Sequence, residues 1–199
     1  MIDEYIKNNQ EIDPQTLKQD VAFQEQLKNQ IKDAKDSNNI VELYNVLDIL
    51  IFIEDDKEID DIYQLIYKFA MDYLNTILEQ GKILDLENDV EYAVSRAIYE
   101  TAIELYSNNN FKSAKELFLI LSIITDIDFY VGAMQIHMLA ALKKIPFDTF
   151  MNDFVDTDKI ENSDYNAYFI AEFKDYGADF LEKYSDDVRE EILSISKFK

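Results

Sequence analysis

The near lack of turn-forming residues constrains the fold of this chain more than any other feature. Only three glycines and two prolines occur in 199 residues. Antiparallel sheets joined by tight hairpins need glycine at their turns, whereas the Leu, Ile, Lys, Glu, Gln and Ala that fill this chain favour helices. Apolar residues also recur at helical spacing from Ile62 to Ile77, and this run stops at Gly81. The sequence therefore predicts an all-α fold.

The patterning divides the chain into three regions. Residues 1–12 are polar without a sustained period and are predicted to be a flexible arm. Asp13, followed by a proline, is typical of a helix start and opens an N-terminal helical region, 13–82. Its first helix runs to about Lys35 and has few apolar positions, which favours a lid or a partner-contacting arm over a core element. Residues 83–199 are predicted to be a tetratricopeptide-like helical region, with later helices near 165 to 183 and 186 to 196.

The charge of the chain limits its partners. Nineteen Lys and Arg residues oppose 41 Asp and Glu residues, which gives a net charge of −22. Such a field repels phosphate backbones and anionic lipids, so we expect neither nucleic acid nor direct membrane binding. It would speed encounter with a basic partner, although a solvated acidic surface is the ordinary explanation. The chain has no cysteine, no signal-peptide pattern and no apolar run of membrane-spanning length, so we expect a cytoplasmic protein.

Residues that could support catalysis or bind a metal ion form no coherent set. His137 is the only histidine, and without cysteine a zinc site there would need carboxylate or water ligands. The stretch 156–161 superficially resembles a calcium loop, but Glu161 stands where that loop requires glycine. Phosphate-binding loops and serine-nucleophile motifs do not occur. We expect no enzyme, no cofactor and no metal, while an enzyme built on a carboxylate pair stays open because such pairs have no local spacing rule.

Residues 92–124 predict an antiparallel helical hairpin around the three asparagines at 108–110. Ala102 in the first helix and Ala114 in the second are small residues at positions where the two helices would approach each other. The aromatic residues of the seam are Tyr99, Tyr106, Phe111 and Phe118. This spacing matches the tetratricopeptide repeat. Asn109 stands where the repeat usually has its turn glycine, and asparagine tolerates the left-handed backbone of such a turn.

The stretches 98–106 and 111–121 resemble the first repeat of the class II chaperones of type III secretion, which hold translocator proteins. The likeness continues over 126–133, where the family begins its second repeat. One repeat length of about 34 residues beyond the two alanines, Ile136 and Asp148 are not small apolar residues, so the pattern fades there. A plain helical bundle is the alternative to a repeat.

The resemblance implies a concave groove, made by the first helix of each repeat, that binds an extended apolar segment of another protein. The residues it assigns to partner binding are Tyr99, Ile103, Tyr106, Phe129, Ala133 and Ile136. Each of them has an alternative role as an ordinary core residue. The expected function is a non-enzymatic chaperone or adaptor for a protein client, with a secreted translocator as the narrower expectation. The alternative is a structural or regulatory scaffold, or a secreted effector, acting through self-assembly; a homo-oligomer stays open.

Overall fold

The structure, a computed structural model, describes residues 13–161 and 168–196, and most of these are helical. The helices are α1 (Pro14–Gln19), α2 (Val21–Ser37), α3 (Ile40–Phe52), α4 (Ile59–Gln80), α5 (Asp89–Ser107), α6 (Phe111–Ile123), α7 (Asp128–Leu142), α8 (Phe147–Asp153), α9 (Thr157–Glu161), α10 (Asp175–Lys183) and α11 (Ser185–Ser196). Within the described ranges the one β-type pairing is an isolated antiparallel bridge between Val155 and Phe173. The all-α prediction is confirmed. The predicted arm, 1–12, lies outside the described residues.

The chain divides into two compact units, one ending at Ala70 and the other beginning at Met71. The division falls inside α4, ahead of the boundary that the sequence suggested after residue 82. None of the described helices combines the length and the apolar character that crossing a lipid bilayer requires.

The first helix predicted from the sequence is in fact two helices, because the chain breaks at Asp20. The Asp20 backbone is extended, and its carboxylate accepts hydrogen bonds from the N–H groups of Ala22 at 2.9 Å and Phe23 at 3.1 Å. It therefore caps α2 and ends α1. At the start of α1, Asp13 accepts a hydrogen bond from the N–H of Gln15, as the predicted helix start requires.

Helices α1 and α2 are core elements of the first unit, and their prediction as a lid or arm was wrong. Leu17, Phe23 and Leu27 are buried, and α2 packs against α3. Helix α3 has a broad apolar face whose buried residues are Ile40, Leu43, Tyr44, Val46, Leu47, Ile49 and Leu50. Such a face needs cover on more than one side, and Leu17, Phe23 and Leu27 supply part of it, while Val21 at the start of α2 is exposed.

In the second unit, α5 and α6 form the hairpin that the sequence predicted. Ala102 and Ala114 are fully buried where the sequence placed the helix contact. Asn109 has the left-handed backbone expected at the glycine position, with φ of 60°, and the N–H of Asn110 donates to the carbonyl of Leu105 at 2.8 Å. Helix α6 packs on both α5 and α7. Small residues thus allow the close approach, and asparagine makes the turn.

Helix α11 is tied to the α6–α7 pair by two ion pairs. Lys115 of α6 lies 2.5 Å from Glu191, and Lys143, which caps the end of α7, lies 2.7 Å from Asp187. Helix α10 packs on α7 as well. The C-terminal helices are therefore held on the side of the unit where α7 lies.

Candidate functional site: an aromatic surface on α5 and α7

The six residues assigned to partner binding lie on α5 and α7 and differ in exposure. Tyr99, Tyr106, Ala133 and Ile136 are buried, Ile103 is half-buried, and Phe129 is 49% exposed. In this conformation a partner could therefore contact Phe129 and the edge of Ile103 directly. The other four would become accessible only if whatever covers them moved away.

Tyr106 belongs to the hairpin core. Its ring contacts Phe118 within the hairpin and, at centroid distances of 5.4 Å and 5.7 Å, the rings of Phe147 and Phe150 in α8. Its hydroxyl donates to the carbonyl of Ile145 at 2.8 Å. Burial raises the pKa of Tyr106, so the hydroxyl keeps its proton for this bond.

Tyr99 of α5 and His137 of α7 contact each other directly. The Tyr99 hydroxyl lies 3.1 Å from His137 Nε2, and His137 Nδ1 lies 2.8 Å from the carbonyl of Ala133. Because a carbonyl oxygen only accepts, we assign the ring proton to Nδ1, so that Nε2 accepts from Tyr99. The N–H of Ile170 donates to the Tyr99 oxygen at 2.9 Å. Burial lowers the pKa of His137 to about 4, which leaves the ring neutral at pH 7.

Three hydroxyl groups form a second polar cluster next to this chain of bonds. Ser95 Oγ lies 2.7 Å from the Tyr130 hydroxyl and accepts from the Tyr168 hydroxyl at 2.6 Å, and the two phenol oxygens are 3.3 Å apart. Burial raises the pKa of Tyr130 to about 12 and raises that of Tyr168 as well. The cluster therefore joins Tyr168 to α5 and α7 through hydrogen bonds between uncharged groups.

The two clusters lie on what we call the α5–α7 surface, which consists of Ser95, Tyr99, Phe129, Tyr130 and His137. Residues 168–174 are not helical and lie across this surface; we call them the 168–174 segment. The Phe169 ring packs 4.7 Å from the ring of Tyr130, 6.1 Å from that of Phe129 and 6.3 Å from that of Tyr99. The Phe173 ring lies 5.8 Å from that of His137. The segment thus contacts Tyr99 and Phe129, two of the six residues that the resemblance assigned to a partner.

Backbone contacts at its C-terminal end hold the 168–174 segment in a non-helical conformation. The carbonyl of Glu172 accepts from the N–H of Asp156 at 3.0 Å, and the N–H of Lys174 donates to the carbonyl of Phe154 at 2.8 Å. These bonds flank the bridge between Val155 and Phe173. Helix α10 can therefore begin only at Asp175.

Sequence reasoning missed this segment, because a helix from about residue 165 to 183 was predicted there. The signal against that helix is the run of three large apolar residues, Tyr168, Phe169 and Ile170. Consecutive residues point about 100° apart around a helix, so the three could not share one buried face. Instead, Tyr168 packs against the ring of Tyr92 in α5, and Phe169 packs against the ring of Tyr130 in α7.

The arrangement offers groups that can bind an aromatic chain segment. The hydrogen-bond partners of Ser95 include the phenols of Tyr130 and Tyr168, which are not bases at neutral pH. Across residues 13–161 and 168–196, no three His, Asp or Glu side chains come together in a way that could hold a metal ion. The chemistry on offer is ring contact plus hydroxyl groups that can donate to or accept from a peptide backbone.

Comparisons of this chain with protein-family models, with curated proteins and with solved structures give no match.

Proposed function

We propose that this protein is a non-enzymatic chaperone or adaptor that binds a segment of another protein on the α5–α7 surface. The surface belongs to the first helix of the hairpin, α5, and to the helix that follows the hairpin, α7. In a tetratricopeptide-type arrangement these are the helices that line the groove, and the resemblance to translocator chaperones assigned the partner to the same two helices, with Tyr99 and Phe129 among its residues.

The observation that carries the proposal is the 168–174 segment itself. It is a non-helical stretch whose rings and backbone are accommodated by α5 and α7, so the surface has the shape and the hydrogen-bonding groups that a client segment would need. Burying one large apolar side chain is worth roughly 1.5–3 kcal/mol, so two or three rings on this surface would give useful affinity. Phe129, which is 49% exposed beside Phe169, is the ring a client would meet first.

The narrower form of the proposal takes its client from the resemblance. The client is then a translocator protein of a type III secretion system, kept unassembled in the cytoplasm until export. The net charge of −22 supports a holding role, since a strongly charged surface keeps a complex with an apolar client in solution.

Site-specific crosslinking tests the proposal. A photoreactive phenylalanine analogue is placed at Phe129, and in a matched control at Leu193, which is 54% exposed on α11. Both proteins are illuminated in the cells that make the chain. We expect one dominant protein to crosslink from position 129 and not from position 193, and Phe129→Ala to reduce its capture while Leu193→Ala leaves capture unchanged.

Alanine at Tyr99 or Tyr106 would be a poor test, since both are buried and both make hydrogen bonds that hold the fold. Crosslinking to the same protein from both exposed positions would show that contact is nonspecific. No crosslinked protein from position 129, with the protein folded by circular dichroism, would contradict the proposal.

A separate observation favours scaffolding as a second candidate. In the first unit the large apolar residues Ile51, Phe52, Tyr63 and Tyr67 are exposed. Exposed apolar side chains of this kind are typical of association surfaces. Sedimentation velocity over a range of protein concentrations tests it: self-association that Tyr67→Ser weakens would support the scaffold, and a monomer at every concentration would argue against it.

A further inference from the structure

The 168–174 segment occupies the place proposed for the client, so it also describes what an occupant must look like. It presents aromatic rings at its first, second and sixth positions, Tyr168, Phe169 and Phe173. Their contacts extend beyond the α5–α7 surface: Tyr168 packs 4.9 Å from the ring of Tyr92 in α5, and Phe173 packs 6.2 Å from that of Phe150 in α8. Spacing, and not just apolar character, therefore decides which segments fit.

Another chain could make the same hydrogen bonds that hold the segment on the surface. Over its first half the bonds to α5 and α7 use side chains of the surface: the Tyr99 hydroxyl accepts from the N–H of Ile170, and Ser95 Oγ accepts from Tyr168. An incoming peptide also has backbone N–H groups and can also supply a phenol. The regular backbone pairing that would make the segment irreplaceable is limited to the single bridge at Phe173.

Resting on the proposed function, we infer that the 168–174 segment is a built-in competitor of the client. The client segment is non-helical, carries aromatic residues at the same spacing and has Lys or Arg on its flanks, and it binds by displacing the 168–174 segment. The basic flanks follow from the net charge of −22, which attracts a cationic chain and raises its encounter rate.

The packing of the segment can be weakened by a substitution outside the α5–α7 surface. A Cβ at Gly177 in α10 would lie 2.7 Å from Phe173 Cβ, too close for two real carbons, so Gly177→Ala must shift Phe173 or α10. The matched control is Gly132→Ala in α7, where a Cβ meets nothing within 4 Å. Both variants make the same chemical change in a helix, and only one of them disturbs the 168–174 segment.

The test uses a synthetic peptide with the sequence of residues 168–174, extended by two lysines at each end and labelled with a fluorophore. Its affinity for the full-length wild type, Gly177→Ala and Gly132→Ala is measured by fluorescence anisotropy. Apparent affinity scales with the fraction of molecules whose surface is open, so we expect Gly177→Ala to bind at least about fivefold more tightly than the other two proteins. A scrambled peptide should bind none of them, and a peptide with glutamate flanks should bind more weakly than the lysine-flanked one at low salt.

A second measurement covers the case in which Gly177→Ala does not fold. In the wild type, unlabelled peptide at saturating concentration should speed hydrogen exchange of the Ile170 amide, because displacement breaks its bond to Tyr99. Equal affinity of the peptide for all three proteins, or unchanged hydrogen exchange at Ile170, would overturn the inference that the segment competes with the client. No peptide binding would overturn it too, and the proposed function would then be judged separately by crosslinking at position 129.

Discussion

The pKa of His137 tests the description of the buried site most directly. The rings packed around it are Tyr99, Phe118, Phe150 and Phe173, at centroid distances from 4.9 Å to 5.8 Å. A proton added at Nε2 would take the place of the Tyr99 hydroxyl proton that bonds this nitrogen, so the buried Tyr99 O–H would lose its acceptor. Protonation therefore costs the folded protein both desolvation and a hydrogen bond.

The size of the effect follows from the two pKa values. The pKa of His137 falls from 6.5 to about 4 on folding. Between those values the unfolded chain binds a proton and the folded protein does not, so this group's contribution to the free energy of unfolding decreases as the pH falls through that window. The gap corresponds to about 3 kcal/mol, of which about 2 kcal/mol is already lost at about pH 4.5.

Because His137 is the only histidine, its imidazole C–H resonance in an NMR titration is unambiguous. We expect a midpoint near 4. In urea unfolding, His137→Gln supplies the control, since glutamine can donate and accept but does not titrate. Between pH 7 and about pH 4.5 the wild type should lose about 2 kcal/mol more than this variant. A midpoint near 6.5, or equal losses in both proteins, would refute the buried neutral histidine.

Three further predictions concern the second unit and are tested by urea unfolding. Gly132→Ala should stabilise the protein by about 0.5–1 kcal/mol, because alanine is the better helix former and its Cβ enters open space; a destabilised variant would contradict this. Asn109→Val should cost roughly 1–2 kcal/mol at φ of 60°, while Asn109→Gly changes stability little, and equal effects would show that the turn is not left-handed. Ala102→Leu should cost about 1–3 kcal/mol by overpacking the hairpin, whereas Glu104→Leu on the exposed face of α5 should change stability by less than about 0.5 kcal/mol.

The hairpin could be predicted because its determinants are local. Ala102, Asn109 and Ala114 lie within one repeat length, and each acts through its own backbone or through the neighbouring helix. The break at Asp20 is also local, yet it was missed, because an aspartate inside a polar helical pattern is ordinary unless its side chain turns back to cap the next turn. The free-energy difference between a helix that breaks at a capping residue and one that continues is small, and the spacing of apolar residues does not indicate its sign.

The 168–174 segment could not be predicted by local reasoning, because distant residues determine its conformation. Ile170 bonds Tyr99 across 71 positions, and Tyr168 bonds Ser95 across 73 positions. Local helical preference over such a short stretch is worth a few tenths of a kcal/mol per residue, which ring burial on α5 and α7 outweighs. Tertiary contact therefore overrides the helical pattern that the sequence suggested from about residue 165.

Tyr99 and Tyr106 show why a repeat pattern separates core from groove so poorly. They lie about two turns apart on α5, both are buried, and both were predicted to bind the partner. Tyr106 is covered by α8 rings and by the Ile145 carbonyl, which are fixed parts of the fold. Tyr99 is covered on one side by the 168–174 segment, which another chain can imitate. A pattern of residues predicts that a ring is buried but not what buries it, so Tyr99 stays in the proposed client site and Tyr106 belongs to the hairpin core.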